Sequence, residues 1–131
     1  MWKSGIVALA ALGWAGLAAA QDVGVEAYQL DGIEVRVNVH PFLTEDELLT
    51  LRLVGQNREA LDLFVTETSG FSALAVAPDE GFVRDGMPVS SAVALSGLDS
   101  LQSAQTAALE ACDTVRSGGA PCVVVLEVAP N

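Results

Sequence analysis

The chain has 131 residues, of which 51% are hydrophobic, and its 17 acidic residues outnumber its 6 basic residues, giving a formal charge of −11 at pH 7. This charge argues against binding to nucleic acid or to anionic lipid, because like charges repel one another at long range. The length suits one domain with a hydrophobic core of its own.

The first twenty residues have the order of a secretory signal peptide. A positive charge at Lys3 precedes an apolar run over about 5–17, and three alanines ending at Ala20 follow it. The apolar run is shorter than the roughly 20 residues that span a bilayer, so a membrane anchor is the less favoured interpretation. We expect cleavage between Ala20 and Gln21 and a periplasmic or secreted location.

The mature chain, residues 21–131, is expected to form one small α+β domain that does not insert into the membrane. Its first part, 21–66, is expected to hold a β-hairpin and a helix. Its second part, 70–129, is expected to hold strands, a helix and a final strand. Because Lys3 is the only lysine, cleavage leaves five arginines against 17 acidic residues, a formal charge of −12.

The stretch VGVEAYQLDGIEVRVNVH, residues 23–40, predicts the β-hairpin. Asp31 and Gly32 suit a two-residue type I′ turn, which needs positive φ at both positions. The second strand alternates apolar and polar residues with the strand period of two. A turn of this length places Tyr28 opposite Val35, so the apolar side chains of both strands fall on one face.

A helix is predicted from about 45 to 55. Thr44 suits its N-cap, and Glu47 three residues later completes a capping box. The following LLTLRLVG fits either a strand or a helix, so the structure of 48–65 stays open. Within it, residues 59–66 are predicted to be extended, because apolar residues alternate there.

The next part of the chain predicts short strands joined by turns. FSALAVA, from Phe71, predicts a strand, and Pro78 to Gly81 predict a turn. Residues 82–84 are expected to be a short return strand, and Asp85-Gly86 a second turn. SSAVALSG, residues 90–97, predicts a third extended piece.

The clearest helix is predicted over 100–116, with Asp99 or Ser100 as its cap. It carries an apolar stripe at spacings of three and four residues, formed by Leu101, Ala104, Ala108, Cys112 and Val115. Gly118-Gly119 is expected to end the helix in a left-handed conformation. The following CVVVLEVA predicts a strand buried on both faces, inside the sheet.

A structural disulfide between Cys112 and Cys122 is predicted, since export permits it and the helix and its following strand bring the two side chains together. On the chain-entropy model, closing so short a loop contributes about 2–3 kcal/mol. A redox-active pair usually appears as C-x-x-C at a helix start, and tetrahedral zinc needs further ligands. Both alternatives are therefore less favoured.

The sequence offers little catalytic chemistry. His40 is the only histidine, and a lone histidine at the end of a strand is more often a surface residue than a catalytic one. The acidic clusters Glu45-Asp46-Glu47 and Asp79-Glu80 lack the residue order of a calcium loop, and helix capping and a turn account for them. We predict no catalytic, cofactor-binding or metal-binding residues.

Two stretches, FSALAVAPDEGFVRDGMPVSSAVAL and AALEACDTVRSGGAPCVVVLEVAP, together resemble small exported alphaproteobacterial proteins that often carry the label 5-aminolevulinate synthase. The second stretch is also similar to a bacterial secreted domain of unknown function with an alanine-rich helix and paired cysteines. The resemblance implies a fold and a disulfide rather than an activity. The enzymatic label does not fit, because those enzymes use pyridoxal phosphate on a catalytic lysine and the mature chain has no lysine.

The leading functional hypothesis is a non-enzymatic structural or protein-interaction module of the periplasm, with a protein partner and no nucleic acid. One alternative is a small enzyme that uses His40 with a serine or a carboxylate. Another is a carrier of a small ligand.

Overall fold

The computed structural model describes residues 23–130, and these form a five-stranded antiparallel sheet with helices on both faces. The predicted signal peptide and its cleavage site after Ala20 lie outside the described residues. The strands are β1 (Gly24–Leu30), β2 (Ile33–Val39), β3 (Phe71–Val76), β4 (Val83–Arg84), β5 (Met87–Pro88), β6 (Val93–Leu98) and β7 (Val123–Pro130). The helices are α1 (Glu45–Gln56), α2 (Arg58–Phe64) and α3 (Leu101–Val115). The predicted α+β class is confirmed.

The strands of the main sheet lie in the order β1-β2-β7-β3-β6, so β7 is central and β1 and β6 are the edges. β7 pairs with β2 on one side and β3 on the other, both antiparallel. Its residues Val125, Leu126 and Val128 are at most 1% exposed. The prediction of a strand buried on both faces is confirmed.

The β1–β2 hairpin forms as its turn residues predict. Asp31 has φ 53° and Gly32 has φ 79°, as a type I′ turn requires. Tyr28 pairs with Val35 in the resulting register. The apolar side chains of β2 then face the core, where Val35 and Val37 are fully buried.

Helix α1 begins with the predicted capping box. The Thr44 hydroxyl accepts a hydrogen bond from the Glu47 amide at 3.1 Å, and the Glu47 carboxylate accepts one from the Thr44 amide at 3.0 Å. The helix runs to Gln56, one residue beyond the predicted end.

The prediction that residues 59–66 are extended is wrong, because Arg58–Phe64 is the helix α2. The Asn57 side chain caps it by accepting a hydrogen bond from the Ala60 amide at 2.9 Å. Leu61 and Val65, four residues apart, are buried, whereas Leu63 is 82% exposed. The apparent alternation therefore combines two core residues at helical spacing with one surface leucine.

Residues 82–84 are predicted to form a return strand, but they do not join the main sheet. β4 pairs instead with β5 in a separate small hairpin, which turns at Asp85 (φ 55°) and Gly86 (φ 75°). The predicted turn is confirmed, but the strands at its sides are only two residues long. The third extended piece is β6, which pairs with β3.

The two faces of the sheet are covered by different helices. α1 packs on β1 and β2, and α2 packs on α1, while α3 packs on β3, β6 and β7 from the opposite face. The α3 interface is rich in small side chains, since Ala104 and Ala108 meet Ala73 and Ala75 there. Each helix thus covers only part of its face.

Two details of α3 differ from the prediction. Val115 is 55% exposed, so the buried stripe of the helix ends at Cys112. The helix also ends at Arg116 in an extended conformation (φ −68°, ψ 153°), and the two glycines follow it in the loop. Gly119 has φ 81° and lies so close to Asp79 that a Cβ atom there would overlap its carboxylate.

Candidate functional site

An apolar groove lies on the α1 face of the sheet, above β3 and β6, which α1 leaves uncovered. Its volume is about 310 Å³. Leu74 and Ala94 belong to the strands beneath it, while α2 and the segment 82–89 form its sides. We call this depression the apolar groove; its lining residues are Leu63, Phe64, Leu74, Phe82, Val83, Pro88, Val89, Ala92 and Ala94.

The apolar groove forms because small side chains line its floor and larger side chains line its sides. Ala92 and Ala94 leave space above the edge of the sheet. The rings of Phe64 and Phe82 meet edge to face, with centroids 6.3 Å apart and planes at 77°, so the two sides support each other. Leu63, also in the lining, is 82% exposed.

One buried carboxylate holds the 82–89 side in place. Glu47 is fully buried, and its Oε2 accepts hydrogen bonds from the amides of Phe82 (2.8 Å) and Val83 (3.0 Å) and from Arg84 Nε (3.1 Å). The same side chain caps α1. The capping role predicted for Glu47 is therefore correct but incomplete, because this residue also fixes the backbone of the groove.

The Glu47 carboxyl is ionised at neutral pH. Burial by itself raises its pKa, but hydrogen bonds from Arg84, Thr44, Val83 and Phe82 outweigh that effect and hold the pKa below 4.5. The partners of this anion are all donors, so a neutral or protonated side chain does not satisfy them equally well.

A second, more polar depression adjoins the first, with a volume of about 470 Å³. Val83 lines both. We call it the acidic groove, because its lining includes two exposed carboxylates; the full set is Thr44, Asp46, Val83, Arg84, Asp85 and Gly86. Within residues 23–130 the side chains of Asp46 and Asp85 form no ion pair and no hydrogen bond.

The arginines of the described residues are all engaged with carboxylates. The pairs are Arg36 with Glu34, Arg52 with Glu26, Arg58 with Asp62 and Asp31, Arg84 with Glu47, and Arg116 with Asp113. The strongest effect on a pKa is at Glu26, where hydrogen bonds from Arg52 and Tyr28 lower the pKa to about 2. The charge left without a counterion on this part of the chain is negative.

The second acidic cluster holds two loops together. The Glu80 carboxylate accepts hydrogen bonds from the Ser91 hydroxyl (2.5 Å) and the Ser117 amide (2.8 Å), and these bonds lower its pKa. Asp79 accepts one from the Ala120 amide at 3.2 Å. Among the described residues no group of three or more histidine, cysteine or acidic side chains is placed to hold a metal ion.

His40 is held by the backbone. Its Nε2 lies 3.1 Å from the carbonyl oxygen of Val124, to which it donates, and its ring centroid is 5.5 Å from that of Phe42. No hydrogen bond in the described part of the chain joins His40 to a serine or a carboxylate. His40 is therefore bonded to the backbone of β7.

Comparison of the chain with protein-family models, with characterised proteins and with solved structures found no match. Function is therefore inferred from the geometry of the two grooves and from the chemistry around them.

The predicted disulfide between Cys112 and Cys122 is present, with S–S at 2.03 Å. The Asp113 carboxylate accepts a hydrogen bond from the Cys122 amide at 2.9 Å, and this bond, with the Arg116 side chain, lowers the pKa of Asp113. Both cysteines belong to the alanine-rich cluster under α3, on the face opposite the grooves. The disulfide thus fixes α3 to β7 and takes no part in either groove.

Sequence reasoning did not find the grooves. Their walls come from segments far apart in the chain, and for α2, which lines the apolar groove, the local pattern predicts an extended segment. The available signals are weak: two phenylalanines, Phe64 and Phe82, and two alanines, of which Ala92 precedes β6 and Ala94 lies within it.

Proposed function

We propose that this protein is an exported, non-enzymatic module that binds a protein partner through the apolar groove. The observation that carries the proposal is the groove itself: a preformed depression, open to solvent, lined by aliphatic and aromatic side chains. At about 310 Å³ it lies at the lower end of the volumes of ligand pockets, which suits side chains of a polypeptide.

The environment of the polar groups supports a binding role. His40, Glu47 and Glu80 each bond to backbone groups that fix a loop or a strand end. Groups engaged in this way are positioned to stabilise the fold rather than to exchange protons with a substrate.

The proposed export has separate support. Residues 1–20 have the order of a signal peptide, and a disulfide is consistent with a secreted or periplasmic protein. No helix among residues 23–130 is long and apolar enough to cross a membrane. We also propose, from the resemblance of residues 71–95 and 107–130, that the small exported alphaproteobacterial proteins share this fold.

Site-specific photo-cross-linking in producing cells tests the binding role. A benzoylphenylalanine replaces Leu63 in the groove lining or, as the control, Val115 on the opposite side of the sheet; these side chains are 82% and 55% exposed. We expect discrete adducts from position 63 that are missing at position 115. Ala94→Phe, which fills the groove, should remove them. Adducts that are equal at both positions, or that persist with Ala94→Phe, would contradict the proposal.

A further inference from the structure

The apolar groove and the acidic groove meet at Val83, so an apolar surface lies directly beside two carboxylates. We propose that the partner is a cationic polypeptide segment, which places an apolar side chain in the apolar groove and a lysine or arginine in the acidic groove. This inference rests on the proposed function and adds the chemistry of the partner to it.

The charges around Val83 favour a cation over any other group. Arg84 is the cation in the lining of the acidic groove, and its guanidinium is bound to the buried Glu47. Asp46 and Asp85 are exposed and have no counterion within residues 23–130. A cationic side chain of a partner therefore meets two available acceptors and displaces no existing ion pair.

The net charge of residues 23–130 also favours a cationic partner. With every arginine of residues 23–130 already paired, the long-range field of that region is negative. Such a field accelerates the approach of a basic segment and slows that of an acidic one. It also disfavours a second copy of this chain as the occupant, since two copies carry the same charge.

Selection of peptides from a random library displayed on phage tests the inference directly. The target is the mature, disulfide-bonded protein, and Ala94→Phe serves for counter-selection. We expect the enriched peptides to combine an apolar residue with lysine or arginine. Enrichment of acidic or uncharged peptides would overturn the inference and leave the groove as a binding site. A failure of wild type to enrich anything beyond the Ala94→Phe variant would overturn the proposed function as well.

Titration of an enriched peptide separates the two grooves. Asp46→Asn with Asp85→Asn is expected to raise Kd by about three- to tenfold, as for two exposed ion pairs, and to weaken the salt dependence. The matched control is Asp99→Asn with Glu110→Gln, which removes two exposed charges elsewhere and should change Kd less than twofold. Equal effects of the two double variants would overturn the cationic site, whereas unchanged binding to Ala94→Phe would overturn the groove itself.

Two control measurements check that the variants fold and that the free protein is monomeric. Asn is tolerated at a left-handed position, so Asp85→Asn at φ 55° should fold normally, and the thermal transition of each variant checks this. Analytical ultracentrifugation of the free protein detects self-association. A dimer that Ala94→Phe disrupts would replace the cationic partner with a second copy.

Discussion

Replacing Glu47 with glutamine tests the role of the buried carboxylate in the groove. Both oxygens of Glu47 accept: Oε2 from three donors, and Oε1 from the Thr44 amide at 3.0 Å and Arg84 Nη2 at 3.4 Å. An amide group presents NH₂ in place of one oxygen. Whichever orientation it takes, at least one backbone donor faces another donor and loses its partner.

The expected loss follows from these contacts. A buried donor without a partner costs about 1–3 kcal/mol, and removing one member of a buried ion pair costs about 3–5 kcal/mol. Arg84 is 39% exposed and regains water, so we expect the free energy of unfolding to fall by about 3 kcal/mol. Small domains have about 5–15 kcal/mol in total, so the variant should still fold.

Urea denaturation measures this loss. With a slope of about 1–3 kcal/mol per molar urea, the transition midpoint should fall by at least about 1 M. Glu45→Gln is the matched control, because Glu45 is exposed in the same helical turn, and it should change stability by less than about 0.5 kcal/mol. A Glu47→Gln variant as stable as this control would refute the idea that Glu47 holds the loop.

The pH dependence provides an independent check. The pKa of Glu47 is lower in the folded state than the ordinary value of 4.5, so the unfolded state binds the proton at the higher pH. The contribution of Glu47 is therefore complete above pH 4.5 and is lost as the pH falls through the folded-state pKa. The stability difference between wild type and Glu47→Gln should shrink on acidification below pH 4.5. A difference that stays constant would contradict this.

Three further predictions concern the packing, the disulfide and one ion pair. A Cβ atom at Gly55 would lie 2.5 Å from the Tyr28 ring. Urea denaturation of Gly55→Ala should therefore show a loss of about 1–3 kcal/mol in the free energy of unfolding, although alanine has the better helix propensity. The control Gly24→Ala, which has open space around it, should be nearly neutral. Replacing both Cys112 and Cys122 with alanine should lower the free energy of unfolding by about 2–3 kcal/mol, and reductant should then no longer affect the thermal transition. The pKa of Glu26, followed by NMR, should be about 2 in the wild type and should rise towards 4.5 in Arg52→Gln; an unchanged value would contradict the role of Arg52.

The parts of the fold that the sequence predicts correctly are those with decisive local signals. Asp31 and Gly32 both tolerate the positive φ that a two-residue type I′ turn requires, so the hairpin and its register follow from two residues. The capping box of Thr44 and Glu47 defines where α1 begins. Cys112 and Cys122 lie on either side of one short loop, so their pairing needs only the helix and strand beside them.

The remaining features depend on contacts that local sequence does not encode. Leu61, Leu63 and Val65 fit a strand as well as a helix, and only the core decides that Leu63 faces solvent. The sequence predicts the capping role of Glu47 from the spacing to Thr44. It does not predict the hydrogen bond from the Phe82 amide, which lies 35 residues further along the chain. The grooves depend on several such long-range contacts at once, so neither periodicity nor spacing indicates them.

The central position of β7 has a consequence for biosynthesis. β7 is synthesised after every other strand of the sheet, yet it alone joins the β1–β2 hairpin to the β3–β6 pair. Until residues 123–130 have been synthesised, the two halves of the sheet have no strand in common. Sheet pairing between distant segments is also intrinsically slow. The order of the strands along the chain thus makes completion of the sheet depend on the last of its strands to be synthesised.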